Sequence, residues 1–362
     1  MDFKHFAVGE DDDGRRLDKI LKRFLDNVPL SQLYKLIRKS LIKVNDKKSR
    51  PDYRVISGDD ISIASFLFLS EHEKTSDGKT PALNKNLQNH HKCEKYYNFQ
   101  VSSQNDKITV QTDISKLIVF ENEHILILNK PYDVIIHGEK YSLDKAVVEY
   151  WKNNIKDNSD NSLSFTPGPL HRIDRKTTGL IVFSTSLAGA RWFSENIKNH
   201  TIGKKYHALV QGKVFENQEW CDFISKNEES KTKISGFHKV QASFSDGKEE
   251  GIKSENAKKA QTFIKPVCIG SFEKTFVTLA EITIGTGRKH QIRSQCSLHN
   301  HPLLGDTAYG GKKIKAKQDF YLQATELTFP ENKLGIPSQI RISISNDFTD
   351  ILSYCGIKKT NV

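Results

Sequence analysis

The stretch HRIDRKTTGLIVF, residues 171–183, joins a charged segment directly to an apolar run. One acid, Asp174, stands among four potential cations, and LIVF at residues 180–183 has the composition of a buried strand. An acid in such a string is most often a turn cap or a surface ion pair, which contributes little. The alternative is a carboxylate that a nearby cation keeps ionised, with its pKa below the ordinary value, where it can attack a substrate or remove a proton.

A second charged segment, GTGRKHQIRSQCSLHNHPLLGDTAYGG at residues 285–311, favours the functional alternative. Its part RKHQIRSQCSLHN is predicted to be a helix, on which His290, Arg293 and Ser297 fall at i, i+3 and i+7 and share one face. Arg293 can then reach inward as a fixed cation for Asp174. The glycines complete neither a P-loop nor a dinucleotide fingerprint, so no ATP or NAD site is predicted.

The composition favours an anionic partner. The chain has 362 residues, a formal net charge of +11 and a pI of about 9.2. Such an excess of Lys and Arg favours nucleic acid ahead of a membrane surface, although a compositional habit would give the same count. The five cysteines form no CxxC pair, which suits a reducing cytosol and argues against a zinc site. Without an apolar signal core or a membrane-length apolar stretch, a soluble cytoplasmic protein is expected.

The N-terminal segment is predicted to hold two helices and a short sheet. Apolar residues in RRLDKILKRFLDNVP fall at helical spacing, and Ser31 can cap a second helix, SQLYKLIRKS. The strands LIKVN and DDISIASFLFL follow. The helices carry an excess of cations, which favours a phosphate-binding face over an ordinary solvated one. The predicted RNA contacts in this segment are Arg16, Lys35, Arg38, Lys39 and Lys43.

From residue 114 onward, the pattern predicts an α+β fold. KLIVF, HILILNK, GLIVFST and TFVTLAEITI read as strands, and SLAGARWFSENIKN as a helix. Because strands do not alternate regularly with helices, a largely antiparallel mixed sheet flanked by helices is expected over residues 114–350. Residues 71–113 are polar without clear periodicity, and a flexible linker is predicted there. Residues 213–258 are rich in Lys, Glu, Ser and Gly and are predicted to form a surface insertion.

These segments carry two family resemblances. Residues 13–66 resemble the S4 RNA-binding domain, a small αL-type module, on RRLDKIL, SQLYKLIRKSLIKVN and GDDISI. The rest closely resembles the RluA/RluC-type pseudouridine synthases. GPLHRIDRKTTGLIVF matches the family's HRLDRxTSGLxxF, and KKYHALVQG matches KxYxAxxxG. LNKPYDVIIHG matches NKPxGxxxH, and GTGRKHQIR with HPLLGDTAYG matches TGRxHQIR with GHPxxGDxxYG.

The resemblance implies an isomerisation of uridine in RNA, in which the N1–C1′ bond breaks, uracil rotates and C5 joins C1′. No metal, nucleotide or other cofactor is implied, because reactant and product have the same composition. The resemblance assigns Asp174 as the catalytic carboxylate, Arg293 as its partner and Tyr206 as the aromatic that stacks on the target base. It places Arg172 in the space that the flipped nucleotide vacates. Further expected RNA contacts are Arg175, Arg288 and His290.

The resemblance leaves the substrate open among three alternatives. Large-subunit (23S) rRNA is the expected substrate, and the same chemistry on tRNA is the alternative within the enzyme class. A non-catalytic RNA-binding or ribosome-assembly protein is the third, against which the intact set of Asp174, Tyr206 and Arg293 argues. A monomer is expected. Asp133 stands where the family often has Gly, so a left-handed backbone is expected there, which Asp tolerates better than most residues.

Overall fold

The computed structural model describes residues 2–25, 28–68, 97–103, 106–139, 141–154, 163, 165–226, 240–244 and 257–358. Of these, the residues within Met1–Tyr96 and Val148–Thr166 form one compact unit, and those within Tyr97–Val147 and Pro167–Val362 form a second. Each unit has its own sheet and its own buried apolar cluster. Of the helices in the described ranges, none combines the length and the apolar character needed to cross a membrane.

The first unit is an α+β module in which two helices cover a small antiparallel sheet. Its sheet has the order β1-β4-β2-β3. The apolar stripe predicted for the first helix is confirmed, because Leu17, Ile20 and Leu21 are fully buried. The predicted cap at Ser31 is wrong: the second helix begins at Leu30, and Pro29, with its fixed φ, is the capping residue. The elements are β1 (Phe3–Ala7), α1 (Leu17–Phe24), α2 (Leu30–Arg38), β2 (Ile42–Val44), β3 (Lys47–Lys48) and β4 (Asp60–Ala64).

The second unit is built on a large mixed sheet with helices packed on it. Its strands and helices are β5 (Tyr97–Ser103), β6 (Asp106–Thr112), β7 (Ile118–Glu121), β8 (Ile125–Lys130), α3 (Leu143–Asn154), β9 (Gly168–Pro169), β10 (Thr178–Ser184), α4 (Leu187–Lys198), β11 (Gly203–Gln211), β12 (Gln218–Lys226), β13 (Val240–Phe244), β14 (Lys258–Phe272), β15 (Thr275–Ile284), α5 (Gln291–Leu298), β16 (Leu322–Thr328), β17 (Gln339–Arg341) and α6 (Asn346–Tyr354). Helix α3 continues from this unit into the first. Short 3₁₀ helices lie at Glu10–Asp12, Ser65–Phe68, Ile114–Leu117 and Thr307–Tyr309.

The sheet confirms the expected largely antiparallel mixed topology. Its order is β13-β12-β14-β15-β11-β16-β10-β8-β7, with β17 beside β16 and β9 beside β10. The pair β10–β16 is parallel, and the other described pairs of this sheet are antiparallel. Strand β10, which carries the run LIVF, lies between β8 and β16 and is buried along its whole length. The loop before β10 is therefore anchored on the central part of the sheet.

The boundaries of the sequence-based segments differ from those of the structure. The N-terminal module starts before residue 13, because β1 pairs with β4. Residues 71–96 of the predicted linker lie outside the described residues, but residues 97–103 and 106–112 form the antiparallel hairpin β5–β6. Within the predicted insertion, β12 is an integral strand between β13 and β14. The α+β segment expected over residues 114–350 also continues further, because α6 ends at Tyr354 and Ile357 is buried.

One glycine fixes the approach of two strands beside the charged loop. Gly179 of β10 has a φ of +103°, and a Cβ built on it would lie 2.1 Å from the backbone oxygen of Ala324. Gly179 is paired with Ala324 in the parallel register of β10 and β16. A side chain at this position would push the strands apart and shift the loop that precedes β10. Gly179 of the quoted motif therefore helps to position the loop that precedes β10.

Candidate active site

The loop that carries Asp174 is fixed to the sheet by its first motif residue. The Nε2 atom of His171 accepts a hydrogen bond from the backbone N–H of Val182 at 3.1 Å, and its ring stacks on Phe193. Burial lowers the pKa of His171 to about 3, so the ring is neutral at physiological pH. His171 is therefore an anchor of the loop and not one of its cations. The loop closes with a hydrogen bond from the Thr177 N–H to the Asp174 carbonyl.

Asp174 lies close to two groups supplied by the second charged segment. Its Oδ2 is 3.5 Å from Nη1 of Arg293, and its Oδ1 is 3.8 Å from Nε2 of His290. Burial raises the pKa of Asp174, while the charges of Arg293 and Arg172 oppose that rise. The expectation of a pKa below the ordinary value is wrong for the unliganded protein. The cost of removing a carboxylate from water exceeds the attraction of an arginine that a second acid also holds.

That second acid is Asp306, which sequence reasoning did not single out. Arg293 donates from Nε and Nη2 to its two carboxylate oxygens at 2.7 and 2.8 Å, and both side chains are buried. The guanidinium also lies against two aromatic rings, 4.8 Å from the centroid of Tyr309 and 4.6 Å from that of Phe320. A planar guanidinium held in this way has one orientation, with Nη1 toward Asp174.

His290 is placed differently from the sequence-based expectation. It precedes α5 in a left-handed conformation, with a φ of +50°, so it is the capping residue and not a residue of the helical face. Its Nδ1 is 2.8 Å from the hydroxyl of Tyr309. Burial and the charge of Arg293 lower the pKa of His290 to about 3. His290 is thus a neutral, buried group beside Asp174, and its expected contact with RNA stays a prediction.

Lys130 and Arg175 hold the Asp174 loop against the end of β8. Lys130 is fully buried, and its ammonium donates to the carbonyl oxygens of Pro131, Val134 and Arg175 at 2.9, 3.1 and 2.8 Å. Burial lowers its pKa to about 7. Arg175, predicted to contact RNA, donates instead to Asp133, with Nε and Oδ1 2.7 Å apart. Asp133 has a φ of +61°, which confirms the expected left-handed backbone.

Asp174, His290 and Arg293 line a cavity of about 430 Å³ in the second unit. Among the described residues that line it, Asp174 is the single carboxylate. Tyr206 enters from β11 and is buried, and both burial and the charge of Asp174 raise the pKa of its hydroxyl. The cavity therefore presents one acid, several cations and an apolar wall to a ligand. Its apolar lining residues are Leu170, Ile173, Ile197, Ile284, Ile292 and Leu322.

The rim of the cavity carries the remaining predicted contacts and a lysine that was missed. Arg172 is exposed beside Asp174, and Arg288 is exposed but donates from Nε to the Lys259 carbonyl at 3.1 Å. Lys204, next but one to Tyr206, also lines the cavity. Sequence reasoning missed Asp306, Lys130 and Lys204, although the quoted motifs contain all three. Asp306 lies in GDTAYG, Lys130 in NKP and Lys204 in KKYHALVQG. In the described part of the chain, no group of three or more His, Cys, Asp or Glu side chains is arranged to hold a metal.

In the first unit, the predicted RNA contacts divide into engaged and exposed cations. Arg16 forms a two-point hydrogen-bonded pair with Asp18, with N···O distances of 3.1 and 2.8 Å. The ammonium of Lys43 lies 4.6 Å from the ring centroid of Phe3. Lys35 and Arg38 of α2 and Lys39, which follows the helix, are exposed, and the described residues give none of them a carboxylate partner. The end of α2 is therefore the better candidate for a phosphate contact.

Comparison with known proteins shows which families the chain resembles. Residues 124–298 match the sequence profile of a family described as RNA pseudouridylate synthase, and residues 15–61 match that of the S4 domain. A solved structure named Human RNA Pseudouridylate Synthase Domain Containing 4 superposes with a TM-score of 0.54 at 20% identity. It covers 68% of this chain and 95% of that chain. At this identity the likeness shows the fold alone.

Relatives of known name extend the match over most of the chain. The ribosomal large subunit pseudouridine synthase C of Buchnera aphidicola subsp. Schizaphis graminum (strain Sg) is 28% identical over 335 residues, or 91% of this chain and 90% of the relative. The protein of the same name from Escherichia coli (strain K12) is 27% identical over 314 residues, or 86% of this chain and 81% of the relative. The chain therefore matches the RNA pseudouridylate synthase family over residues 124–298 and the S4 domain over residues 15–61, and it is similar to these relatives along most of its length. It is an RNA-modifying isomerase.

Proposed function

We propose that this enzyme converts uridine to pseudouridine in large-subunit rRNA, with Asp174 as its catalytic carboxylate. The observation that carries the proposal is the position of Asp174, the single carboxylate among the described residues that line the cavity, 3.5 Å from a buried arginine. The reaction breaks the N1–C1′ bond, forms a C5–C1′ bond, and moves one proton from C5 to N1. Atoms and charge balance without a co-reactant.

Asp174 acts in this proposal as an ionised group. Attack on C1′, addition to C6 and removal of a ribose proton are the roles open to a carboxylate here, and each requires the anion. Because burial raises the pKa of Asp174, the nearby cations Arg293 and Arg172 are needed to favour that anion. Arg293 serves this role in an orientation that Asp306 fixes.

The remaining cavity residues bind and retain the base. Extruding a uridine from folded RNA costs a few kcal/mol. Stacking on an aromatic side chain returns about 1–3 kcal/mol per base, and we assign this role to Tyr206. Arg172, exposed beside Asp174, is assigned to the space that the nucleotide leaves in the RNA. The apolar lining keeps water away from uracil while it is detached from the ribose.

The substrate assignment rests on the relatives and on the S4 domain. Both relatives named above are ribosomal large subunit pseudouridine synthases. An S4 domain adds a cationic surface, and Lys35, Arg38 and Lys39 are the contacts we assign to it. The same chemistry on tRNA is the alternative substrate. We further propose that the S4 module of residues 3–66 and the catalytic segment of residues 114–358 act together in a cytoplasmic monomer. Light scattering would measure the mass of the protein in solution and so test the monomer.

A pseudouridine map of total rRNA and tRNA tests the function. The map compares a strain that lacks the gene with strains complemented by the wild type or by Asp174→Asn. Sites in large-subunit rRNA that disappear on deletion and return with the wild type alone would support the proposal. Sites in tRNA would move the substrate assignment, and rescue by Asp174→Asn would remove Asp174 from the chemistry. No lost site would favour a non-catalytic RNA-binding role.

A further inference from the structure

Lys204 presents a cation to the cavity from the same face of β11 as Tyr206. The two residues are separated by one position, and alternate side chains of a strand share a face. Both line the cavity that contains Asp174. The ammonium of Lys204 lies beside Gly287, because a Cβ built on that glycine would be 3.4 Å from Nζ. The absence of a side chain at Gly287 therefore leaves the ammonium room for a ligand.

Lys204 lacks the carboxylate partners that the neighbouring Lys205 has within the described residues. On the opposite face of β11, the ammonium of Lys205 lies 3.3 Å from Glu281 and 3.6 Å from Glu326. For Lys204, the described residues provide no carboxylate, and burial lowers its pKa without an opposing acid. A half-buried ammonium without a counter-charge destabilises the free protein. Such a group is typical of a site whose anion arrives with the ligand.

The chemistry of the substrate identifies that anion. The uracil ring and the ribose of a target uridine are uncharged, whereas each linkage of the RNA chain carries one negative charge. Asp174 is already faced by Arg293 and Arg172, which are the acid's strongest cationic neighbours. Lys204 is therefore available for a second function in the same cavity.

We propose that the ammonium of Lys204 binds one of the two phosphodiester groups that flank the target uridine, and so holds the extruded nucleotide with its base against Tyr206. This inference rests on the proposed function, since it concerns the RNA bound at that site. In it, Lys204 contacts the substrate but takes no part in bond making or breaking. An ammonium suits the task, because it recognises a phosphate oxygen as a point charge.

The first test uses the full-length protein and tritium at C5 of uridine, which is released when C5 joins C1′. Total RNA from the deletion strain identifies a converted uridine, and a short synthetic RNA around it is the probe. Lys204→Met should lower kcat/KM by roughly 10- to 100-fold, the range of a lost charged hydrogen bond. Lys204→Arg should retain most of the activity. Lys116→Met, which removes an exposed lysine outside the cavity, is the matched control.

The second test removes the charge from the RNA. The probe is made with a neutral methylphosphonate at the linkage 5′ or 3′ of the target uridine, one at a time. If the neutral linkage is the one that Lys204 binds, the kcat/KM of the wild type on that RNA should fall as far as the kcat/KM of Lys204→Met on the natural RNA. On the same neutral RNA, the kcat/KM of Lys204→Met should fall little further. Two results would overturn the inference. One is that, at both linkages, the loss caused by Lys204→Met and the loss caused by the neutral linkage multiply, as independent effects do. The other is that the wild type keeps its kcat/KM on both neutral RNAs.

Stability provides a separate readout. Because Lys204→Met removes an uncompensated, half-buried charge and keeps a chain of similar length, its Tm should equal or exceed that of the wild type. A lower Tm would indicate a structural role for Lys204 and would contradict the inference. A wild type that releases no tritium from any RNA would overturn the proposed function. Full activity of Lys204→Met beside an active wild type would overturn this inference alone.

Discussion

Asp306 holds Arg293 by two hydrogen bonds of 2.7 and 2.8 Å, and this buried pair is shorter than the 3.5 Å contact between Arg293 and Asp174. Arg293 is therefore first a partner of Asp306 and second a partner of Asp174. The shared guanidinium explains why Asp174 is oriented without being fully neutralised, and why burial still raises its pKa. Asp174, the proposed catalytic carboxylate, is thus part of an acid–arginine–acid arrangement.

Asp306→Asn should reduce both activity and stability, because it leaves a buried guanidinium with too little negative charge. Breaking a buried ion pair by removing one partner costs about 3–5 kcal/mol. Tritium release should fall well below the wild-type rate, and urea unfolding should report the loss of free energy. Lys312→Met, which removes the exposed pair with Glu273, is the control and should cost less than about 1 kcal/mol. A stable, fully active Asp306→Asn would show that Arg293 needs no second acid.

Asp174→Asn should abolish tritium release and leave RNA binding nearly unchanged, because an amide cannot serve as nucleophile or base. The variant should also be more stable than the wild type at neutral pH. The folded-state pKa of Asp174 is raised above the ordinary 3.8, so above that pH the folded protein binds more protons than the unfolded chain. The free energy of unfolding of the wild type must then fall as the pH rises.

The difference between Asp174→Asn and the wild type should therefore widen from about pH 4 toward neutrality, as urea unfolding at several pH values would measure. A difference that narrows over this range would mean that Asp174 has a lowered pKa in the folded protein. Residual turnover above a few per cent in the variant would remove Asp174 from the proposed chemistry.

The loop of Asp174 and the strand behind it could be predicted from the sequence because both are local: Asp174 and the run LIVF are neighbours in the chain. The sequence did not reveal which of the adjacent cations point inward. Arg175 donates to Asp133, which lies 42 positions earlier. His290 turns inward because the helix begins one residue after it. Contacts over such separations are set by the tertiary structure, in which β8 pairs with β10 and α5 packs on β12–β14.

The apolar periodicity of the sequence also failed to predict some strands. Strand β12 lies in a segment whose composition resembles a surface loop, and β5 and β6 dilute their apolar residues with Asn, Ser and Gln. Propensity is a weak guide for such strands, because pairing with neighbours decides their structure. By contrast, the fully buried β10 and even the edge strand β7 were evident as continuous apolar runs.

Lys130→Met should lower turnover more than substrate affinity. The lysine contacts the carbonyl of Arg175, next to Asp174, and its loss would free the loop without altering the cavity lining. Kinetics with the full-length protein should show a reduced kcat and a smaller change in KM. An unchanged kcat would mean that the three carbonyl contacts do not position Asp174.

The same variant should change how stability depends on pH. The pKa of Lys130 is about 7 in the folded protein and 10.5 ordinarily, so between these values the unfolded chain binds more protons. The free energy of unfolding of the wild type should therefore rise, relative to Lys130→Met, as the pH increases from about 7 to about 10.5. A parallel pH dependence of the two proteins would show that Lys130 keeps an ordinary pKa, with its ammonium stabilised by the three carbonyl oxygens.

The exposed cations of α2 should determine part of the salt dependence of RNA binding. Replacing Lys35, Arg38 and Lys39 with Gln removes three charges that the described residues leave without a carboxylate partner. Each phosphate contact contributes about 0.7–0.9 to the slope of log K against log salt. The triple variant should therefore flatten that slope by up to about 2–3, measured by filter binding of the probe RNA over a range of KCl concentrations. Arg50→Gln is the control, because Arg50 already forms an ion pair with Asp52 at 2.8 Å. An unaltered slope in the triple variant, or an equal change in the control, would assign RNA binding to another surface.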